Sequence, residues 1–320
     1  MRFFNQVPTS MHTRVAQKSY LKSARWTGAW LLLMGMVLLP LSLQGAEVTR
    51  LLIESGDPVL QVKLEELVRA QGLDGPASRG ELNLALVIVT DPSRPRLAEI
   101  NGHEMVYAAS LPKIAILLGA AVALEEGRLV MSDALHKDLN DMIRVSCNAC
   151  ATRVLEQVGR QQLLDTLRSP SLLFYDEDSN GGLWVGKDYG PGTAYQRDPL
   201  EGLSHGATAF QAARFYYRLY TRTLVSPAQS EMMLGTLVDP GVEHKFVKGL
   251  KDYRGMKIYR KSGTWRTYHA DSALVAYGGH AYIMIALANN PNGAKWLENL
   301  ARPMHRLAIA QSWEAVRKKR

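Results

Sequence analysis

The sequence predicts an α+β fold: one antiparallel sheet with terminal helices, carrying an inserted all-helical lobe. Three observations carry that expectation. A helix pattern and strand patterns come first. Helical patterns alone then fill the middle of the chain. Strand patterns and a final helix close it. The two outer parts, 47–106 and 255–320, are expected to pair into one sheet-bearing lobe, with 107–254 as the helical lobe. A cleft between two such lobes is the natural place for a site.

Each element has its own reason. Pro58 to Ala70 places Leu60, Leu64, Leu67 and Val68 on one helical face. Gly72 to Gly80 reads as a loop. Leu82 to Val89 is an apolar strand. After the turn Asp91-Pro92-Ser93-Arg94-Pro95, Arg96 to Ile100 returns as its partner. Tyr107 to Ala120 opens a helix at Ser110 that ends near Gly127. Ser132-Asp133 is a good cap for the next helical region, which runs through Leu139 and Met142 and continues as Ala149 to Val158. From Ser169 to Ser204 periodicity vanishes. A loop that long in a compact domain is functional or disordered, and Phe174, Tyr175, Trp184, Tyr189 and Tyr195 argue for order. Helices return at Ala207 to Tyr220 and Pro227 to Leu237. Lys257 to Ser262, Ser272 to Tyr277 and Ala281 to Leu287 are strands, the last two joined by Gly278-Gly279-His280. Trp296 to Ala310 closes the chain as an amphipathic helix.

The chain has 320 residues and a formal charge of +8. Arg2, Arg14, Lys18, Lys22 and Arg25 precede the first acid, Glu47; without these five the balance is (38 − 5) − 30 = +3. That is too mild to argue for nucleic acid. The basic segment leads into WLLLMGMVLLPLSL, Trp30 to Leu43, which is short for a membrane span of roughly 20 residues. Residues 1–46 therefore read as an export signal with release near Ala46, and an uncleaved N-terminal anchor is the alternative. A periplasmic protein would touch the membrane only through this segment. Cys147 and Cys150 are the only cysteines, spelling C-x-x-C inside a helical pattern. Two quiet buried thiols are the first expectation, a local disulfide the second, and a redox role the last, since a thioredoxin-type motif would sit after a strand at a helix start.

Three short motifs appear in order: Ser110-x-x-Lys113, Ser146-x-Asn148, and Lys261-Ser262-Gly263-Thr264. On a helix, residues three apart share a face, so the Ser110 hydroxyl and the Lys113 amine would sit side by side. A neutral lysine there can take the serine proton, as nucleophilic catalysis needs. Alone, S-x-x-K is equally a helix start with a solvated lysine. Together the three motifs resemble those of the penicillin-recognising serine hydrolases, the class A β-lactamases and the related DD-peptidases. The resemblance covers residues 48 to 312. The second motif carries Cys for the usual Asp, and the third Ser for Thr.

The resemblance implies that Ser110 attacks a carbonyl and forms an acyl-enzyme. Lys113 accepts the proton, with a nearby cation such as Lys261 lowering its pKa. Ser146 relays a proton to the leaving nitrogen. Asn148 bonds Lys113 and the substrate amide. Lys261 offers charge to a substrate carboxylate. Ser262 and Thr264 add hydroxyls, and Gly263 admits the substrate to the backbone. The backbone N–H groups of Ser110 and Thr264 form the oxyanion hole. The substrate would be a β-lactam or a peptidoglycan peptide, with no cofactor and no metal.

Two departures from the family matter. Ser110 and Ser146 are 146 − 110 = 36 residues apart, shorter than in typical class A enzymes. The E-x-x-L-N pattern that holds the deacylating water is also missing. The nearest candidates are Asp176 and Glu177, in Tyr175-Asp176-Glu177-Asp178-Ser179-Asn180. Without a placed base the acyl-enzyme would live long, as in a peptidase or penicillin-binding protein; a non-hydrolytic sensor is a further alternative, which intact Ser110, Lys113 and Lys261 argue against. Arg266 and His269 are further candidates to meet a carboxylate. His205 and the pair His244-Lys245 have no metal-ligand partner at useful spacing and read as structural.

Overall fold

The sheet is built from both ends of the chain. In a computed structural model that describes residues 41–317, helices α1 (Leu41–Ile53), α2 (Pro58–Ala70) and α3 (Asp74–Ser78) lead into β1 (Leu82–Ile88) and β2 (Arg96–Ile100). Asp57 caps α2, its carboxylate accepting from the N–H groups of Val59 and Leu60, and Pro58 occupies the first turn. A two-residue strand, β3 (Val106–Tyr107), precedes the helical block: α4 (Lys113–Glu125), α5 (Asp133–Arg144), α6 (Asn148–Val158) and α7 (Arg160–Arg168). Short strands β4 (Tyr175–Asp176), β5 (Gly181–Gly182), β6 (Trp184–Val185) and β7 (His205–Ala207) order the long loop. Then come α8 (Ala209–Tyr220), α9 (Pro227–Leu237) and α10 (Phe246–Leu250). Strands β8 (Lys257–Trp265), β9 (Tyr268–Tyr277) and β10 (His280–Asn289) lead to α11 (Gly293–Arg317).

The main sheet has the order β2-β1-β10-β9-β8, with every neighbouring pair antiparallel. Alternate side chains face opposite layers, as the strand period demands. On β1, Leu82, Leu84, Leu86 and Ile88 join Leu60 and Leu64 of α2 and Leu297, Leu300 and Met304 of α11 in one core. Ala85 and Val87 of β1, with Ile283 and Ile285 of β10, join the other core, which includes α4 and α8. The helix α4 is apolar all round, so it must be enclosed. Ile114 to Leu118 are each fully buried.

The helical block and the sheet share that second core, because α8 packs directly on β1, β9 and β10. Two buried arginines of α8 fasten the start of the long loop. Arg214 Nη2 donates to the Leu172 carbonyl at 2.7 Å and also to that of Leu173; Arg218 Nη1 donates to the Ser171 carbonyl at 2.9 Å. Phe174, Tyr175 and Trp184 are fully buried beneath the loop, so its aromatics do order it.

Several expectations need correction. The loop Gly72 to Gly80 contains α3, and α10 was not anticipated. Helix α4 starts at Lys113, with Ser110 in the turn before it. Cys147 and Cys150 are not two quiet thiols: they form a disulfide, with Cα atoms 5.3 Å apart. The expected export signal lies almost wholly outside the described residues, and its release point, Ala46, falls inside α1. Among the described residues no helix is long and apolar enough to cross a membrane.

Candidate active site

Ser110 sits in the turn between β3 and α4. Two contacts hold that turn in place. The Ala108 N–H donates to the His205 carbonyl of β7 at 2.9 Å. Across the cleft, β8 presses Gly263 against the same backbone. A Cβ on Gly263 would lie 2.3 Å from the Ala108 oxygen and 2.7 Å from the Ser110 nitrogen. Only glycine permits this approach. Ala109, at φ 52°, takes the left-handed turn that aims the segment.

Lys113 is the first residue of α4 and is fully buried. Its Nζ donates to the Ser146 carbonyl at 2.7 Å and to Asn148 Oδ1 at 2.7 Å. Longer contacts reach Ser146 Oγ and the Cys147 carbonyl, both at 3.4 Å. Burial, rather than the charge of Lys261, brings the Lys113 pKa down from 10.5 to about 7. A substantial neutral fraction therefore exists at neutral pH.

Ser146 bridges the two lysines. Lys261 Nζ donates to Ser146 Oγ at 2.9 Å and to the Ser262 carbonyl at 2.7 Å. Lys261 is 1% exposed, and its pKa lies well below the ordinary value, chiefly through burial and then through the charge of Lys113. An arriving carboxylate would offset that penalty and restore the charge. The Ser146 backbone has φ 62°, a strained conformation for a residue with a Cβ.

A row of polar groups backs β8, the pair His244-Lys245 among them in the structural role read from the sequence. Lys245 Nζ donates to the Gly263 carbonyl at 2.5 Å, Thr264 Oγ1 at 2.8 Å and the Ala270 carbonyl at 3.1 Å. Its burial lowers its pKa to about 8. His244 Nε2 meets Ser262 Oγ at 3.0 Å, and burial holds that imidazole at about 4, so it is neutral. Arg260 and Asp271 form a fully buried two-point ion pair, with Nε–Oδ1 2.7 Å and Nη2–Oδ2 2.8 Å. Asp271 pairs in register with Ser262, so this ion pair fixes the strand that carries the third motif.

A cavity of about 670 Å³ opens at this centre. Ser110, Asn148 and Thr264 line it, together with Tyr107, Lys187 and Arg266. Asp176 and Glu177 do not, and neither does Lys261, which reaches the site through Ser146. Asp176 caps the turn that follows it, accepting from the Asp178 N–H and the Ser179 hydroxyl, while Glu177 is exposed and pairs with Arg168. The loop instead contributes Asp188 and Tyr189. Asp188 is held at both oxygens by Arg160, at 2.8 and 2.7 Å. The Tyr189 ring lies 4.5 Å below Lys113 Nζ, and its hydroxyl donates to the Ala109 carbonyl at 3.2 Å. The only trace of Tyr189 in the sequence is an aromatic residue in an aperiodic stretch. His269 is buried with Nδ1 unpartnered and does not line the cavity. Among the described residues no group of three His, Cys, Asp or Glu side chains could hold a metal ion.

The model of the β-lactamase enzyme family matches residues 136–311. The chain belongs to that family. It is thus a β-lactamase-like serine hydrolase, of a kind that acts on amide bonds. Solved structures agree on the fold. The β-lactamase from Sphaerobacter thermophilus superposes with a TM-score of 0.60 at 16% identity, covering 77% of this chain and 96% of that one. A β-lactamase from Xanthomonas campestris pv. campestris gives 0.60 at 16% identity, over 78% and 97%. A point mutant of PBP-A, solved as an acyl-enzyme complex with penicillin G, gives 0.57 at 18%, over 82% and 98%. No curated protein matches by sequence.

Proposed function

We propose that this chain is an exported hydrolase acylated at Ser110 by a β-lactam or a peptidoglycan peptide. One observation carries the reading. Lys113, one turn on from Ser110, is buried with a pKa near 7 and bonded to Ser146 and Asn148. In its neutral form it takes the Ser110 proton as Oγ attacks the carbonyl. The N–H groups of Ser110 and Thr264 receive the oxyanion, an interaction worth about 3 kcal/mol per donor. Ser146, bonded to Lys261, passes a proton to the departing nitrogen as the C–N bond breaks. Lys261 and Thr264 meet the substrate carboxylate. Water then attacks the ester to release the acid.

The cavity favours slow release, and so a peptidase or sensor over an efficient lactamase. Its loop carboxylate, Asp188, is clamped by Arg160, and Tyr189 covers Lys113 from the loop side. Mass spectrometry after exposure to penicillin, run beside turnover of a chromogenic cephalosporin, tests both points. A stable adduct on Ser110 with little turnover supports the reading. Rapid turnover with no trapped species supports a lactamase instead, and a protein that neither turns over the cephalosporin nor is modified at Ser110 refutes acylation. Sequencing the N-terminus of protein recovered from the periplasm tests export.

A further inference from the structure

The disulfide lies inside the second motif, and nothing in the chemistry above uses it. Cys147 is the residue between Ser146 and Asn148. Both neighbours hold Lys113, and the Cys147 carbonyl does so as well. All the acceptors around the Lys113 amine thus come from one three-residue segment. Its first residue has a strained backbone, with φ 62°. Such a conformation persists only where its surroundings over-determine it. Apart from its bonds to the Lys113 and Lys261 amines, few bonds do so here. The Cys147 N–H donates to the Asp141 carbonyl at 3.0 Å, and the Cys150 N–H donates to Cys147 Sγ at 3.1 Å. The covalent tie runs from the half-buried Cys147 to Cys150, which is 4% exposed and packed in the core with Ala151, Val154 and Leu155. The strained segment is therefore stapled to the rigid start of α6.

We propose that the Cys147–Cys150 disulfide is a positioning element of the acylation centre, and that its reduction reversibly slows acylation at Ser110. The inference rests on the Ser110 reading above. The reductant is a dithiol. One of its thiolates attacks the sulfur of half-buried Cys147, and the S–S bond breaks. Cys150 departs as a thiolate beside Arg153 Nη2, 3.4 Å away, which stabilises it. The second dithiol sulfur then releases Cys147. Two electrons and two protons pass to the protein, and the reagent closes into its own disulfide. With the staple gone, the segment relaxes from φ 62° and its carbonyls leave Lys113. Displacements on the order of 1 Å in such a centre slow reaction by about a hundredfold.

The test is acylation by a fluorescent penicillin, with and without dithiothreitol, across pH. Alkylation and mass spectrometry confirm two thiols in the reduced form. Reduction is expected to slow labelling by about tenfold to a hundredfold. The pH at which the rate levels off should move upward as water reaches Lys113. That amine also faces Lys261 from β8, His205 from β7 and the Tyr189 ring. Oxidised glutathione should restore the rate. The double variant Cys147→Ser, Cys150→Ser should label at the reduced rate whether or not reductant is present. Reduced protein that labels at the oxidised rate, with an unchanged pH profile, overturns the proposal. Hydrogen exchange over residues 145–150 reads the staple without any reaction. Faster exchange on reduction supports it and unchanged exchange overturns it. Should neither form accept the label, that failure belongs to the Ser110 reading, and the exchange result still decides this one.

Discussion

Replacing Lys113 with methionine should abolish acylation and yet make the protein more stable at pH 6.5. The folded site lowers the lysine from 10.5 to about 7. At 1.36 kcal/mol per pH unit, the buried ammonium is roughly 5 kcal/mol worse off than in the unfolded chain. Methionine fills a similar stem volume without that penalty. It leaves the Ser146 carbonyl and Asn148 Oδ1 unpartnered, at about 1 kcal/mol each. The net gain at pH 6.5 is therefore about 3 kcal/mol, or roughly 5 to 10 °C in Tm. The pH dependence gives the sharper check. Between pH 7 and 10.5 the unfolded wild-type chain binds a proton that the folded chain has lost, so wild-type stability rises with pH across that window. At pH 10 the penalty has shrunk to about 1 kcal/mol, below the cost of the orphaned acceptors, and the order of stability reverses. Thermal melts of both proteins at pH 6.5 and pH 10 measure this directly. A methionine variant with the same advantage at both pH values would refute the buried-lysine argument. So would one that a penicillin labels at the wild-type rate.

Gly263→Ala should cut labelling more than a hundredfold, because the new methyl meets backbone at 2.3 and 2.7 Å on the Ser110 side. Asp271→Asn strands the buried Arg260 guanidinium without a counter-charge and should cost about 3 to 5 kcal/mol, read as a lower denaturant midpoint at unchanged slope. Asp176→Asn and Glu177→Gln should leave the lifetime of the trapped adduct within about twofold, since neither carboxylate lines the cavity; a large change in either would return the deacylating role to that turn.

The three motifs were legible because S-x-x-K, S-x-N and K-S-G-T are sequence patterns in their own right. The long regular elements were legible through period alone: Pro58–Ala70, Arg96–Ile100 and Pro227–Leu237 match residue for residue. Periodicity is blind to five-residue helices such as α3 and α10. It is also blind to the first four residues of β9, where Tyr268 to Asp271 carry no apolar alternation and are held by pairing with β8 and β10. The interior charges were hidden for a different reason. Arg260 and Asp271 read equally as surface residues in sequence, and only the fold encloses them. Tyr189 shows the same gap, since no spacing rule predicts an aromatic ring beneath a lysine. The C-x-x-C pair left free thiols and a disulfide both open, and only the geometry at the start of α6 decides between those two.

Arg214 and Arg218 grip residues 171–173 through backbone oxygens alone. A carbonyl is the same whatever side chain accompanies it, so this mooring makes no demand on the identity of the residues it holds. Substitutions can accumulate along the rim of the cavity while its root stays anchored. The enzyme can thus acquire new substrate preferences on a foundation that those changes do not disturb.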